Sequence, residues 1–248
     1  IEGFGFREDR TKSFEFDTAI VRAGPGYEFF LAGIYKLFGH HYEVVWAVQA
    51  VLHALSAYLL FLICRLIFTT GGEKIGLLAA AIFGLHPDLI EISAMLMTET
   101  LYLFLIVLAV WLFVKVYQEP SRLNRSVFLA LALAAAILSR PPVILFLPII
   151  LVFYLLHRHY RSAAFFLVIL ALGLAPWVVR NYRIYHQFIP TTIIGEYNLW
   201  VGNTLKSTGG QISGGVNPAT DYAAKFGFSS FKKEANEQFR IFIWQHPV

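Results

Sequence analysis

Charge is what this sequence is short of. Asp, Glu, Lys and Arg make up 15% of its 248 residues, where a water-soluble domain carries about 25%. Its 57% hydrophobic residues and mean hydropathy of +0.61 exceed what one soluble core can hide, because a folded surface must be covered with polar groups. A soluble enzyme, a disordered chain and a fibrous protein are thereby excluded. Cysteine is nearly absent as well: Cys64 alone permits neither an intrachain disulfide nor a cysteine metal cluster. There is no Walker motif, serine nucleophile elbow, paired CxxC or internal repeat of fixed period. Gly3-Phe4-Gly5 lacks the strand–turn–helix setting of a dinucleotide loop.

What the sequence does have is a series of long apolar runs. A helix needs roughly 20 apolar residues to cross a hydrocarbon core about 30 Å thick. Val44 to Phe68 meets this alone, with Arg65 near one end where its head can snorkel. Ile75 to Leu85 is short and stops at His86-Pro87-Asp88; apolar character resumes from Leu89, and a clear run follows from Leu101 to Tyr117. Val127 to Leu138 and Val143 to Leu156 are hinged at Ser139-Arg140-Pro141-Pro142, and Ala163 to Val179 is the last good span. The Pro pair removes two donors and disfavours helical geometry at Arg140, so two short helices meeting at a membrane face fit better than one kinked span. These runs predict an all-α, multi-pass transmembrane helical bundle of about six passes over residues 44–182. Residues 1–43 read as a first extracytoplasmic loop with juxtamembrane helices. Residues 183–248 read as an extracytoplasmic loop leading to a further span, with a possible amphipathic helix from Phe231 to Trp244. The start at Ile1 without a signal-peptide pattern and the stop just after an apolar stretch lead us to expect an internal fragment.

Basic residues orient the spans. Arg65 and Lys74, then Lys115, Arg122 and Arg125, then Arg158 and Arg161 fall in alternate loops, which places those loops in the cytoplasm. Residues 1–43, the stretch from His86 to Glu99 with no Lys or Arg, the Arg140 hinge and the tail from Arg183 share the opposite face. The sequon Asn124-Arg125-Ser126 is then cytoplasmic and silent. The net charge of +4 and the 16% aromatic content follow from membrane edges and interfaces, so no nucleic-acid partner is expected.

The candidate chemistry gathers on the second face. An ionisable group at the edge of an apolar helix is costly and tends to face a polar cavity. Glu99 is the sharpest case; its competing reading is a helix N-terminus capped by Thr98, with the carboxylate complementing the macrodipole. Asp88, after Pro87, reads first as a turn residue, and His86 and Glu91 are weaker candidates. Arg140 offers a planar, permanently charged fork suited to phosphate, or else an interfacial contact with lipid headgroups. Arg180 and Arg183 have the same two readings, and Trp177 before them is an expected interface anchor. His40-His41 and the His157-Arg158-His159 cluster lack metal-ligand spacing. A transporter is the alternative function and would use polar groups within the spans, for which Gln49, His53 and Ser56 are the modest candidates. A structural or assembly subunit would need neither external arginines nor an acidic loop.

Arg22-Ala23-Gly24-Pro25-Gly26-Tyr27, with Phe30-Leu31-Ala32-Gly33-Ile34-Tyr35 and Phe38-Gly39, resembles the R-x-PGYP-x-x-LA-x-IY-x-x-FG stretch of glycosyltransferase family 39-type membrane proteins. These are relatives of the dolichyl-phosphate-mannose protein mannosyltransferases and aminoarabinose transferases. Gln49, His86-Pro87, Thr98-Glu99-Thr100-Leu101-Tyr102, Ser139-Arg140-Pro141, Pro176-Trp177, Arg180-Asn181-Tyr182, Gly195, Asn198-Leu199-Trp200 and Gly202-Asn203 agree in order and spacing. The resemblance implies a GT-C fold in a bacterial or archaeal plasma membrane. It implies inverting transfer of a sugar from a polyprenyl-phosphate-linked donor to a lipid, glycan or protein acceptor at the extracytoplasmic face. On that reading Arg140 and Arg180 bind the phosphate, with Asp88 and His86 beside them. Glu99 orients the acceptor or helps hold a divalent metal, and the apolar helices, among membrane lipids, hold the prenyl tail. The family's general base, an Asp of the first external loop, is expected just upstream of Ile1; Glu8 and Asp9 share that loop in a different place. Glu28 stands where family members often have Pro.

With Cys64 replaced by Ser, a single cysteine at Gly210 is expected to react with an impermeant thiol reagent from the extracytoplasmic side. Labelling confined to the cytoplasmic side would overturn the orientation.

Overall fold

The computed structural model describes residues 24–193, 195, 198 and 218–245, and every regular element among them is a helix. Gly24–Pro176 forms one compact unit, and the described residues from Trp177 onward belong to a second. The helices are α1 (Pro25–Phe38), α2 (Tyr42–Ile67), α3 (Gly72–Gly84), α4 (Pro87–Ser93), α5 (Glu99–Gln118) and α6 (Leu123–Ser139). A 3-10 turn (Pro141–Phe146), α7 (Leu147–Leu156), α8 (Tyr160–Tyr185) and α9 (Pro218–Gln245) follow. The expected all-α membrane bundle is what the chain forms. In lipid no water is at hand to satisfy the backbone, and a helix satisfies it internally. By length and composition α2, α5 and α8 can cross a membrane; α3 and α4, bent by 58°, make a fourth, broken candidate, while α6 and the stretch Pro141–Leu156 are shorter.

The breaks fall where the local chemistry demands them. His86 takes an extended conformation and Pro87 opens α4, so the apolar run of α3 stops there. Arg140 is extended (φ −147°, ψ 117°) ahead of the two prolines, and its N–H still reaches the carbonyl of Ala136 at 2.8 Å. That places the arginine at the very end of α6, with its side chain leaving the helix. The run that predicts a span ending at Val179 continues as helix to Tyr185, because Arg180, Asn181 and Tyr182 are compatible with helix once the surrounding protein receives them. In the second unit the amphipathic helix expected over Phe231 to Trp244 lies within α9, which breaks at Gly227 (φ 79°) and buries Phe231 and Ala235.

Two kinds of contact hold the first unit together. On α3, Gly72 and Gly76 form a Gly-x-x-x-Gly pair. A Cβ on Gly76 would lie 2.8 Å from the carbonyl of Phe61, and one on Gly72 3.1 Å from that of Cys64. Small residues thus let the backbones of α2 and α3 approach closely, which is how helices associate when lipid removes the hydrophobic drive. The remaining core is side-chain packing. Leu129, Leu133 and Ile137, each four residues on from the last, are buried on α6 against Leu105, Ala109 and Leu112 of α5 and Ile150 and Phe153 of α7, with Phe166 of α8. The hydroxyls of Ser126 and Tyr154 share a 2.6 Å hydrogen bond between α6 and α7. Ser126, the third residue of the sequon, is fully buried, while Asn124 is exposed.

The two ends of this unit differ electrically. At one end the guanidinium of Arg65 meets Glu73 at 3.5 Å, Arg122 and Arg125 both pair with Glu119, and the hydroxyl of Ser162 donates to the carbonyl of Pro120 at 2.7 Å. The loops between α2 and α3, α5 and α6, and α7 and α8 are the ones read from charge as sharing a face. The loop between α4 and α5 and the hinge after α6 meet at the other end. Gly76→Leu is expected to destabilise the protein by about 1–3 kcal/mol, because the added side chain meets backbone that cannot yield. A lowered midpoint of thermal unfolding in detergent checks this, with Gly76→Ala intermediate.

Candidate active site

Three segments meet at the second end, and glycine decides how closely. A Cβ on Gly24 would strike the carbonyl of Leu138, and one on Gly26 would strike Ser139. The start of α1 therefore rests directly on the end of α6, beside Arg140. Tyr27, next along α1, is 5% exposed. Burial, with smaller contributions from Tyr35, Glu28 and Glu99, pushes its hydroxyl well above its ordinary titration range, so it keeps its proton. That proton goes to Gln49 Oε1 at 2.8 Å.

Gln49 is fully buried on α2. Its Nε2 donates to the carbonyls of Ser93 at 2.8 Å and Met95 at 2.7 Å. One amide thus binds α1, α2 and the loop between α4 and α5. Each buried group left unpaired by its loss would cost about 1–3 kcal/mol. The same observation removes the main support for the transporter reading. Gln49 is committed to structure, His53 bonds the carbonyl of Gly84 at 3.2 Å and stacks on Phe83, and the hydroxyl of Ser56 donates to Leu52 within its own helix.

The loop so held delivers Glu99. Thr98 does not cap α5 through its side chain; its hydroxyl donates to Glu99 Oε2 at 3.1 Å instead. The other carboxylate oxygen accepts from Arg140 Nη1 at 2.8 Å. The capping reading of this pair is therefore displaced by a cross-bundle ion pair between residues 41 apart in sequence. Arg140 also lies over the ring of Tyr102, 5.7 Å from its centroid. The side chains of Arg140 and Glu99 are 43% and 25% exposed. At that exposure the bridge contributes at most about 1 kcal/mol to stability, so its main consequence is orientation. One Arg140 nitrogen is committed to Glu99, and among the described residues no other hydrogen bond to its guanidinium is formed. A fork that is aimed, partly solvent-exposed and incompletely satisfied can receive an anionic oxygen.

The other candidates have surroundings of their own. His86 and Asp88 are exposed at the start of α4; among the described residues neither side chain bonds Glu99 or Arg140. The backbone carbonyl of His86 accepts from Leu89 and Ile90, which starts α4, so Asp88 lies in the first turn of a helix. Arg180 belongs to the second unit. There its Nη1 donates to Asn181 Oδ1 at 2.9 Å and its guanidinium lies 4.6 Å from the Trp177 ring centroid. Trp177 is not the expected interface anchor: it is 5% exposed and its indole N–H donates to the carbonyl of Thr191 at 2.6 Å. Asn181, also buried, donates to the carbonyl of Ile189 at 2.9 Å. Of the histidines outside the site, His40 packs between Tyr35 and Tyr42, and His157 packs on Phe153. Glu8 and Asp9 lie outside the described residues.

A divalent cation needs several oxygen ligands converging on one point. Among the described residues no group of three or more His, Cys, Asp or Glu side chains gathers, and both Glu99 oxygens are engaged by Thr98 and Arg140. Tyr27, Gln49 and Ser139 are the residues that build the site and that reading for ionisable groups missed. Their signal was the glycine-rich start of α1, which announces close backbone approach without naming what it approaches.

The family model described as dolichyl-phosphate-mannose-protein mannosyltransferase matches residues 22–180, a stretch that includes the start of α1, Glu99 and Arg140. No curated protein and no solved structure gave a match.

Glu28, in the first turn of α1, has one carboxylate oxygen buried without a hydrogen-bond partner. Burial raises its titration above the ordinary value of 4.5, against a smaller opposing effect of a backbone hydrogen bond. A carboxyl raised on folding holds its proton more tightly in the native state, so stability falls as pH climbs from the ordinary value through the raised one. Glu28→Gln is therefore expected to unfold at a higher temperature than the parent at neutral pH, with the gain vanishing below about pH 4.5. An advantage that persists at acid pH would show that the carboxylate's charge is not the cause.

Proposed function

We propose a donor, an acceptor and a stereochemical course for this chain, which belongs to the dolichyl-phosphate-mannose-protein mannosyltransferase family and is an integral membrane glycosyltransferase of the GT-C type. In this reading it moves a sugar from a polyprenyl-phosphate-linked donor to a hydroxyl of a lipid, glycan or protein acceptor. The transfer inverts the anomeric centre and takes place at the extracytoplasmic end of the bundle. The observation that carries the proposal is the Arg140–Glu99 pair at 2.8 Å, half-exposed at the end opposite the Arg65, Arg122 and Arg125 loops.

The chemistry follows from the leaving group. The acceptor oxygen forms its bond to the anomeric carbon as the bond from that carbon to the phosphate oxygen breaks. The electron pair leaves with the polyprenyl phosphate, which gains a negative charge and needs no proton. A fixed cation beside that oxygen lowers the barrier, since preorganised charge is worth most where new charge develops. Arg140 has that role, and Glu99 with Tyr102 fixes its direction. The acceptor's proton goes to a carboxylate base. Glu99 serves as the positioning residue for Arg140 rather than as that base, because both of its oxygens are already engaged.

Titration of polyprenyl phosphate onto the intact membrane protein in mild detergent, followed by native mass spectrometry, tests the reading. Saturable binding of one lipid phosphate is expected, and Arg140→Ala should weaken it by about 10- to 100-fold, the worth of one or two charge-assisted hydrogen bonds. The variant should fold, because the bridge contributes little to stability. Equal affinity in parent and variant would return Arg140 to an interfacial role.

A further inference from the structure

Away from Glu99 and Arg140, the first unit carries another concave feature. Between α5 and α6 runs a groove of about 740 Å³. Leu108 and Trp111 form one wall, Phe128 and Leu131 the other, and Lys115 and Arg125 stand at its mouth. Its lining on α5 extends from Leu105 to Lys115. Ten residues of helix are about 15 Å long, which is half of a hydrocarbon core about 30 Å thick. The groove thus occupies the depth of one leaflet, the leaflet at the basic end. Phe128 and Leu131 are 57% and 47% exposed, so the wall they form is open to the surrounding lipid.

The charges at the mouth are unequal in their commitments. Arg125 is occupied: its guanidinium donates to the carbonyl of Lys115 at 2.6 Å and to Glu119 at 2.8 Å. Glu119 is shared with Arg122, so two arginines divide one carboxylate. Lys115 lies over the Trp111 ring, 5.7 Å from its centroid, and among the described residues it has no carboxylate partner. The cluster of Lys115, Arg122, Arg125 and Glu119 therefore keeps two positive charges in excess, beside a groove that suits hydrocarbon. A zwitterionic headgroup would gain little there; an anionic one would neutralise the excess.

We propose that this groove holds one anionic phospholipid, its acyl chain along Leu108, Trp111, Phe128 and Leu131 and its phosphate on Lys115. Arg125 acts through structure: by bonding the Lys115 carbonyl it ties the start of α6 to the end of α5 and keeps the mouth open at a set width. Lys115 is the cation that recognises the headgroup, and its long stem lets it follow the phosphate at the interface. The lipid would brace α5 against α6, the two helices that also carry Glu99 and Arg140 at their far ends.

The test uses the intact protein in nanodiscs of mixed phosphatidylglycerol and phosphatidylcholine, released into the gas phase, with retained lipid identified by mass. Preferential retention of one phosphatidylglycerol is expected. Lys115→Gln should lower that retention roughly fivefold, the worth of one lysine near a membrane surface. Leu131→Trp, which fills the groove and leaves the charge in place, should lower it too. Lys74→Gln, an exposed cation at the same end, should leave it unchanged. Equal retention of the two lipids by the parent would overturn the proposal, as would an unaltered preference in Lys115→Gln. Displacement of the lipid by soluble glycerophosphate would also overturn it, since the headgroup alone would then be the ligand. Because Arg140 is untouched throughout, failure here leaves the carrier-lipid reading of the other end standing.

Discussion

One amide side chain holds together the end of this bundle that carries Glu99 and Arg140. Gln49 sits between three elements and satisfies a tyrosine hydroxyl and the carbonyls of Ser93 and Met95 at once. One carbonyl is that of Ser93, at the end of α4 where no further helical turn can satisfy it, and the other, of Met95, belongs to the loop before α5. In or near a membrane such groups need a protein partner, because each would otherwise be stranded in a medium that cannot hydrogen-bond. Without Gln49 the loop would have to withdraw toward water, and Glu99, at the first position of α5, would move with it.

A division of labour between the two ends follows. At the basic end, arginines are paired with glutamates on short, locally connected loops, so their charges hold the helices in register. At the other end, among the described residues, a single ion pair joins α5 to the hinge after α6. Exposure distinguishes the two uses as well. The Glu99–Arg140 pair is too open to be a strong brace, yet it stands on a foundation of backbone contact, with Gly24 and Gly26 against Leu138 and Ser139. Rigid support beneath a partly satisfied cation is the arrangement a phosphate-stabilising site requires.

Glu28 fits the same picture from the opposite side. The family resemblance leads one to expect proline at this position, a residue that suits the first turn of a helix and leaves no charge to bury. In this chain a carboxylate takes its place and loses part of its hydration without gaining a partner for one oxygen. The fold tolerates that because the glycine contacts, the Gln49 hydrogen bonds and the apolar packing of α1 outweigh one poorly solvated acid.

The sequence by itself determined the class of the protein. Apolar runs of membrane-spanning length, the proline breaks at Pro87 and Pro141, and the alternation of basic loops depend on local composition, and a bilayer enforces them residue by residue. It also supplied Glu99 and Arg140 as separate candidates, each conspicuous because charge is rare. Tertiary structure alone decided that these two form one pair, that Thr98 serves Glu99 instead of capping α5, and that Gln49 is a structural tie where a transport residue could have been read. It decided equally that Trp177 is packed and not an interface anchor. The physical reason is common to all of these: a hydrogen bond or ion pair between residues tens of positions apart depends on which helix ends are brought together. That is set by close backbone contact at glycines and by the packing of α5 and α6, neither of which has a period or a composition to read in advance.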